Sequence, residues 1–217
     1  MKNFGTLLIF AIMFTLTTES YSQTFGVKGG LNLSNMHMKD NDETYDDNNK
    51  MNPGFHLGAT AEFPITEMFS FETGLLLSTK GAKQSYKYGG GVMHESINLF
   101  YLDIPLTSKA TYDIGDTKIY GVFGPYLGMG LSGKLKYEET GGTATTEDVK
   151  WGSSSSDDDL KRFDYGLIFG TGVEINSIQI GLSYGLGLAN ISSEFSNGKK
   201  IKNRVLGISA GYKFGGK

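Results

Sequence analysis

The chain of 217 residues contains 31 Gly and no Cys, and hydrophobic residues make up 39% and aromatic residues 12% of it. Gly is about twice as frequent as usual but follows no collagen repeat, and the aromatic content argues against a disordered chain. The absence of Cys excludes disulfide frameworks, thiol catalysis and a Cys-linked lipid anchor. Since 20 Lys and Arg residues face 23 Asp and Glu residues, no overall positive charge attracts nucleic acid, and we expect no nucleic-acid partner.

The first 22 residues have the three-part layout of a secretory signal peptide. Lys2 supplies a positive start, residues 4–18 carry no charge, and Ser20 and Ser22 are small residues at positions −3 and −1 of a cut before Gln23. The uncharged stretch is shorter than the ~20 apolar residues that a transmembrane helix needs. We therefore predict a signal peptide at residues 1–22 and one exported domain at residues 23–217.

Apolar residues alternate with small or polar residues along most of the exported domain, and this period of two predicts β-strands. The predicted strands are Phe25 to Asn35, Gly54 to Phe63, Phe69 to Thr79, Ile97 to Tyr112, Lys118 to Tyr137, Phe163 to Ile175, Ile178 to Ala189 and Leu206 to Phe214. Pro105 and Pro125 fall inside two of them and remove ladder donors, so we expect a bulge or a local break at each.

The predicted connections alternate between short and long. Residues 64–67, 113–116 and 176–177 form tight turns, whereas residues 36–53, 80–96, 138–162 and 191–203 form long polar loops. In an up-and-down arrangement, all long loops then lie at one end and all short turns at the other, as in bacterial outer-membrane barrels. The sequence therefore predicts an all-β fold, an eight-stranded antiparallel up-and-down transmembrane β-barrel in the outer membrane.

The two faces of the strands differ, but periodicity alone does not say which face points outward. The polar face is rich in Gly, Ser and Thr, which suits a narrow interior. Aromatic residues such as Phe25, Phe69, Tyr112 and Phe214 lie near the short-turn end, as in an interfacial girdle. A soluble, secreted lipocalin-like barrel that binds a small apolar ligand would reverse the two faces, and it remains the alternative.

The polar face also carries charged residues that we expect to pair inside the barrel, since isolated charges in a narrow interior are costly. These candidate lumen residues are Lys28, Glu62, Glu72, Asp103, Lys109, Asp164, Glu174 and Lys213. Near the short-turn end, we expect the three glutamates to neutralise Lys28 and Lys213 and so stabilise the barrel. A path for protons or ions is the functional alternative.

Five segments carry a resemblance to a known family. They are FGVKGGLNLSN (25–35), YLDIPL (101–106), YGVFGPYLG (120–128), FDYGLIFGTGVEI (163–175) and GLSYGLGLANIS (181–192). In this order they resemble the PorT-like outer-membrane β-barrel family of Bacteroidota. The resemblance implies a small outer-membrane barrel, and one named member of that family assists protein secretion. It implies no functional residues. The chain departs from the usual aromatic C-terminus of outer-membrane barrels, because residues 215–217 follow Phe214.

No cofactor or metal site is predicted. The acidic runs at 40–47 and 157–159 lack the spacing of an EF-hand loop, and we interpret them as solvated surface loops. The triplet His94-Glu95-Ser96 contains residue types of a catalytic triad, but adjacent strand residues point to opposite faces. A lipid-modifying enzyme is therefore only an alternative to a non-enzymatic protein.

The expected role is contact through the long acidic loops, either at the cell surface and in the envelope or as an accessory in secretion. The expected partners are outer-membrane lipid and lipopolysaccharide, together with proteins of the envelope or of a secretion complex.

Overall fold

The computed structural model describes residues 23–41, 49–88, 91–139, 142–154, 157–194 and 198–214, which form ten β-strands and no α-helix. The strands are β1 (Thr24–Lys39), β2 (Asn49–Lys50), β3 (Asn52–Pro64), β4 (Phe69–Tyr88), β5 (Gly91–Ile114), β6 (Thr117–Glu139), β7 (Thr145–Asp148), β8 (Phe163–Ile175), β9 (Ile178–Gly187) and β10 (Lys200–Phe214). No helix among these residues is long and apolar enough to cross a membrane. The predicted signal peptide and most of the acidic run at 40–47 lie outside the described residues.

Eight long strands close into a ring of antiparallel pairs. Around the ring the order is β1, β3, β4, β5, β6, β8, β9 and β10, and β10 pairs again with β1. Phe25 of β1, for example, lies opposite Ala61 on one side and Phe214 on the other. Every long strand therefore has two neighbours, and the predicted eight-stranded antiparallel barrel is confirmed.

Short connections at 65–68, 115–116 and 176–177 lie at one end of the ring, which we call the short-turn end. The longer connections lie at the opposite, long-loop end, where strands β4, β5 and β6 extend to 20, 24 and 23 residues. The short strand β2 adds to β4 and β7 adds to β6 there. Together these strands form a sheet that projects beyond the barrel.

The prediction of a loop at residues 80–96 is wrong. Strand β4 continues to Tyr88 and pairs without interruption from Lys80 to Tyr88 with Gly91 to Leu99 of β5. The sequence does not reveal this hairpin by periodicity because its outward residues are mostly polar, as at Lys83, Ser85 and Ser96, so apolar and polar residues no longer alternate. The hairpin instead gains its stability from inward residues such as Ala82 and Ile97, which pack in the interior.

The apolar face of the strands points outward. Leu31 and Leu57 are 68% and 59% exposed, whereas their neighbours Asn32 and His56 are only 3% and 9% exposed. Aromatic rings of Phe25, Phe69, Tyr112 and Phe214 are also exposed at the short-turn end. An outward apolar band with an aromatic border is the surface of a barrel embedded in lipid. The alternative of a soluble lipocalin-like barrel is wrong, because that fold would bury the apolar face.

Both prolines interrupt a ladder, as expected. The β4–β5 ladder lacks the pairs between Thr73–Leu106 and Leu76–Asp103, where Pro105 lies. The β5–β6 ladder is interrupted opposite Pro125, and the register is the same on both sides of each gap. The only register shift of the β5–β6 pair lies at Phe100/Tyr101, so the bulge is separate from the prolines.

Candidate functional site: the barrel lumen

The lumen near the short-turn end holds six charged side chains, three lysines and three glutamates. This lower ion-pair layer consists of Lys28, Glu62, Glu72, Lys109, Glu174 and Lys213. The residues come from β1, β3, β4, β5, β8 and β10, so the layer joins six of the eight barrel strands. Its formal charges balance.

Lys109 lies at the centre of the lower layer. Its side chain is fully buried, and its Nζ lies 2.9 Å from Glu62 Oε2 and 3.4 Å from Glu174 Oε2. Lys213 Nζ bridges the same two carboxylates, at 3.1 Å from Glu62 Oε2 and 2.9 Å from Glu174 Oε1. Two lysines and two glutamates therefore form one closed cluster, in which removing any member leaves a buried charge without full compensation.

The remaining pair of the lower layer is Lys28 and Glu72, whose Nζ and Oε1 atoms are 2.6 Å apart. Neutral side chains donate further hydrogen bonds to the glutamates of the lower layer. Ser70 donates to Glu62 at 2.9 Å, and Gln179 donates to Glu174 at 2.9 Å. The structure thus brings Lys28 and Lys213 into contact with glutamates of the expected set. That these contacts stabilise the barrel stays a prediction.

A second group of charges, the upper ion-pair layer, lies nearer the long-loop end. Lys80 Nζ is 2.9 Å from Asp103 Oδ1 and 3.0 Å from Asp164 Oδ2. Tyr126 and Asn203 also donate to Asp164 Oδ2, at 3.0 Å and 2.9 Å. One lysine faces two aspartates here, and Asp164 Oδ1 is buried without a hydrogen-bond partner among the described residues. The negative charges of the upper layer are therefore less fully compensated than those of the lower layer.

Lys80 was missed by the sequence analysis because the third strand was predicted to end at Thr79. A signal was available, since the even-numbered residues of β4, such as Glu72 and Ser78, already point inward and Lys80 continues that series. Tyr126 and Asn203 were missed too. The strand that contains Tyr126 was predicted from an irregular pattern. The strand that contains Asn203 was predicted to start at Leu206, whereas it starts at Lys200.

Between the two layers lies a cavity of about 120 Å³, with Lys28, His56, Glu72, Lys80 and Tyr126 among its lining residues. Drug-sized ligands usually occupy pockets of roughly 300–1,000 Å³. The cavity suits a few water molecules.

An apolar plug closes the lumen above the upper layer. It consists of Met36, Ala82, Leu99, Tyr101, Val149, Leu160, Ala189, Ile191 and Ile201, with Trp151 packed against them. Trp151 and Leu160 belong to the connection between β7 and β8, and Ile191 to the connection between β9 and β10. Backbone hydrogen bonds from Lys161 to Ile191 and from Ile191 to Ile201 join these segments.

Trp151 is held in place by three neighbours. Its ring meets the Tyr101 ring edge-on at 5.7 Å between centroids, and the Arg162 guanidinium lies 5.9 Å from the ring centroid. On another side the indole covers Gly130, where an added Cβ would overlap the ring. Arg162 also donates to the Gly130 carbonyl at 3.0 Å. The connection is therefore fixed against the inner wall of the barrel.

His56 and His94 each contact a polar side chain other than Ser96. His56 is buried in the lumen with Nδ1 2.7 Å from Asn32 Oδ1. His94 lies on β5, with Nδ1 2.9 Å from Ser85 Oγ on the exposed outer face. Among the described residues, no three His, Cys, Asp or Glu side chains are grouped so that they could hold a metal ion.

A closed barrel with an outward apolar band and a lumen filled by ion pairs defines an integral membrane protein of the β-barrel class. Residues 21–193 match the model of a family described as the outer membrane protein beta-barrel domain, and the chain belongs to that family. The protein is thus a bacterial outer-membrane β-barrel protein. The resemblance to the PorT-like family stays a prediction.

Solved structures with a similar chain include those of three bacterial proteins. The attachment invasion locus protein Ail of Yersinia pestis is 16% identical over 89% of this chain and 99% of its own, with a TM-score of 0.37. Neisserial surface protein A is 14% identical over 88% of this chain and 97% of its own, with a TM-score of 0.42. OprG of Pseudomonas aeruginosa is 11% identical over 90% of this chain and 97% of its own, with a TM-score of 0.40. None of the curated proteins compared with the chain matches it.

We predict that Lys109→Met lowers the free energy of unfolding by about 3–5 kcal/mol, since it leaves buried carboxylates without compensation. Urea titration of the protein folded into lipid vesicles measures this. The double variant Lys109→Met/Glu62→Gln should recover part of the loss, because it removes one of the uncompensated charges. Lys118→Gln is the control, because Lys118 forms only an exposed pair with Asp113 and should cost less than about 1 kcal/mol. A loss that small for Lys109→Met would contradict the prediction.

A second prediction uses Trp151, the only Trp of the chain. Gly130→Val should expel the indole from its place on β6, shift its emission to longer wavelength and increase quenching by acrylamide. Gly121→Val is the control, because a Cβ at Gly121 meets only the Gly170 carbonyl at 3.8 Å, far from Trp151. Both variants should keep the heat-modifiable migration of a folded barrel on gels. Unchanged emission in a folded Gly130→Val protein would contradict the described position of Trp151.

Proposed function

We propose that the protein is a non-conducting, non-enzymatic outer-membrane protein that acts through the loops at its long-loop end. The observation that carries this proposal is the closure of the lumen at three successive levels, namely the lower layer, the upper layer and the apolar plug. An eight-stranded barrel has an interior just wide enough for its own side chains, and here side chains close it at each of these three levels. Transport of solutes through the lumen is therefore disfavoured, and the loops are left as the working surface.

The ion-pair layers also disfavour a path for protons or ions as the main role. Lys109, the most buried cation of the lower layer, is held among carboxylates from three strands. A conducting ion would have to displace such pairs one after the other. Above them it would meet the apolar surface of Leu99, Ile191 and Leu160, which offers no polar ligands.

The sheet that projects at the long-loop end supports a role in surface contact. One of its edge strands, β7, has four exposed residues that include Glu147 and Asp148, and Asp157 and Asp159 lie in the connection that follows. This acidic surface suits a partner with a basic patch, in the envelope or in a secretion complex. The resemblance to the PorT-like family of Bacteroidota favours the secretion complex as the first one to examine.

Within the described part of the chain, the contact between His94 and Ser85 favours an enzyme. Glu138 lies opposite His94 on β6, so three residue types of a hydrolase occupy one row. The Ser85–His94 contact is nevertheless exposed on the outer face of the sheet, and Glu138 pairs with Lys136 at 2.7 Å. Nucleophilic catalysis needs an orienting group for the histidine and an enclosed site for the substrate. We therefore retain the non-enzymatic role.

Reconstitution into planar lipid bilayers tests the closed lumen. We expect no stable channel from the wild-type protein, and none from Trp151→Ala/Leu160→Ala, because the two ion-pair layers below the plug remain. A sixteen-stranded porin inserted into the same bilayer serves as the positive control. Stable conductance from the folded wild-type protein would overturn the proposal.

Affinity isolation from native outer membranes tests the acidic surface. We expect envelope or secretion-complex proteins to copurify with the wild-type protein and to be lost with Glu147→Gln/Asp148→Asn on β7. The matched control is Asp113→Asn/Asp116→Asn, which removes the same charge from exposed positions at the short-turn end. Equal recovery of partners with both variants would refute the acidic surface as the contact.

A further inference from the structure

Basic residues gather on the outward face of the barrel just beyond the apolar band, at the long-loop end. On β1 and β10, Lys39 lies opposite Lys200 and His37 lies opposite Lys202. The last apolar row on this face, Leu33 with Leu206, is four residues away from His37 along β1. The same two strands thus change from lipid-facing leucines to cations within a short distance.

A second basic row crosses four strands on another side of the barrel. Lys50 of β2 lies opposite Lys83 of β4, Lys83 opposite Ser96 of β5, and Ser96 opposite Lys136 of β6. All three lysines are exposed. On β5, the lipid-facing ring of Phe100 lies four residues from Ser96 and is 41% exposed.

The outward direction of this row follows from its neighbours. Ala82, Ile97 and Leu135, each one residue away from a member of the row, pack into the apolar plug. Since successive strand residues point to opposite faces, Lys83, Ser96 and Lys136 point away from the interior. The two basic groups therefore continue the lipid-facing surface and do not line the mouth of the lumen.

Like charges directly opposite each other destabilise a sheet. Lys50 and Lys83 are such a pair, and Lys39 and Lys200 are another. Among the described residues, the closest acid to the second row is Glu138, 2.7 Å from Lys136, in an exposed pair that contributes little. An anion bound between the lysines would relieve this repulsion.

The height of the rows indicates which anion is available. Four residues along a strand, as from Leu33 to His37 and from Phe100 to Ser96, span roughly 13 Å, which at the usual tilt of a membrane barrel gives about 10 Å along the membrane normal. Lys39 and Lys200 lie two residues further out, about 5 Å higher. Cations at that distance from the last lipid-facing side chains lie among the lipid headgroups. An anionic membrane surface attracts each Lys or Arg close to it by about 1 kcal/mol.

We propose that these two rows form a basic collar that binds the phosphate groups of an outer-leaflet glycolipid, lipopolysaccharide. The collar consists of Lys39, Lys200 and Lys202 on one side of the barrel and Lys50, Lys83 and Lys136 on the other. Ser96 lies between two of these lysines and supplies a hydroxyl donor. The collar rests on the position of the barrel in the outer membrane, and it is independent of whether the loops bind a protein partner.

The test is a titration of the full, folded chain in non-ionic detergent with purified lipopolysaccharide. Lys83→Gln/Lys136→Gln and Lys200→Gln/Lys202→Gln should each weaken binding about tenfold or more, given the effect of two lysines near an anionic surface. Lys118→Gln/Lys150→Gln removes the same charge from exposed positions outside the collar and should bind like the wild type. Lys83→Arg/Lys136→Arg should restore binding, since arginine retains the charge and binds phosphate well.

Three further measurements identify the ligand group. Dephosphorylated lipopolysaccharide should bind about as weakly as the variants do, higher salt should weaken binding of the intact lipid, and inorganic phosphate at the same phosphate concentration should not compete. Equal binding of the dephosphorylated lipid, an equal loss in the Lys118/Lys150 control, or full competition by inorganic phosphate would overturn the proposal. Heat-modifiable migration on gels shows that each variant is folded. Because the bilayer and affinity experiments above do not involve the collar, their failure is distinguishable from this one.

Discussion

A chain that crosses a membrane with strands must satisfy every backbone hydrogen bond within itself, since the hydrocarbon offers no partner. In this protein the requirement is met by pairing β1 with β10, which leaves no open edge along the eight long strands. Closure with so few strands makes the interior narrow. At Gly30 an added Cβ would overlap the carbonyl of Ile208 on the neighbouring strand, and at Gly58 the carbonyl of Leu75. The high Gly content of the chain is thus partly a consequence of closure, because glycines stand where the inner wall leaves no space for a side chain.

The narrow interior also restricts how charged side chains can be placed inside the barrel. An ion buried away from water is costly unless an opposite charge lies beside it. The lower layer meets this condition with three lysines and three glutamates in contact, and the upper layer meets it less fully, with Lys80 between Asp103 and Asp164. Tyrosine rings assist both layers: Lys80 Nζ lies 4.5 Å from the centroids of Tyr101 and Tyr126, and Lys109 Nζ lies 4.6 Å from that of Tyr120. The electron-rich ring faces provide further attraction for cations that have lost their water.

The fold could be predicted from the sequence wherever one strand face meets lipid and the other meets the lumen. Within that band, hydrophobicity alternates with every residue, and the predicted bounds of β8, Phe163 to Ile175, agree with the structure. Beyond the band, the outward face of a strand meets water or headgroups, and the alternation disappears although the strand continues. This is why residues 80–96 were interpreted as a loop. It is also why Lys80, just past the last recognised strand residue, was not included among the lumen charges.

The sequence predicts which residues face the lumen, because each strand face has its own pattern. It does not predict which of those residues contact each other. Which charges meet depends on the stagger between strands, and stagger is set by the closure of the whole ring. Lys80 and Asp164 are 84 residues apart in the chain, and no local pattern relates them. The plug is harder still to predict, because Trp151 and Ile191 lie in connections without a period of their own. Their positions depend on the inner surface that Leu99, Tyr101 and Gly130 present, and that surface exists only after the barrel has closed.

The distribution of charge follows from what each surface of the barrel faces. In the lumen nothing outside the protein can neutralise a charge, so cations and anions lie within direct contact of each other. At the level of the headgroups anions are supplied by the surroundings, and there the chain places lysines opposite lysines, as in Lys50 with Lys83. On the same projecting sheet, β7 lies beside β6 at the level of the second basic row, with Asp148 opposite Lys134, and water screens its exposed charges. One physical quantity, the free energy of a charge that lacks a partner, thus relates the paired lumen, the basic collar and the acidic loops. It also explains why a net charge of −3 on the whole chain conceals three separate electrostatic regions.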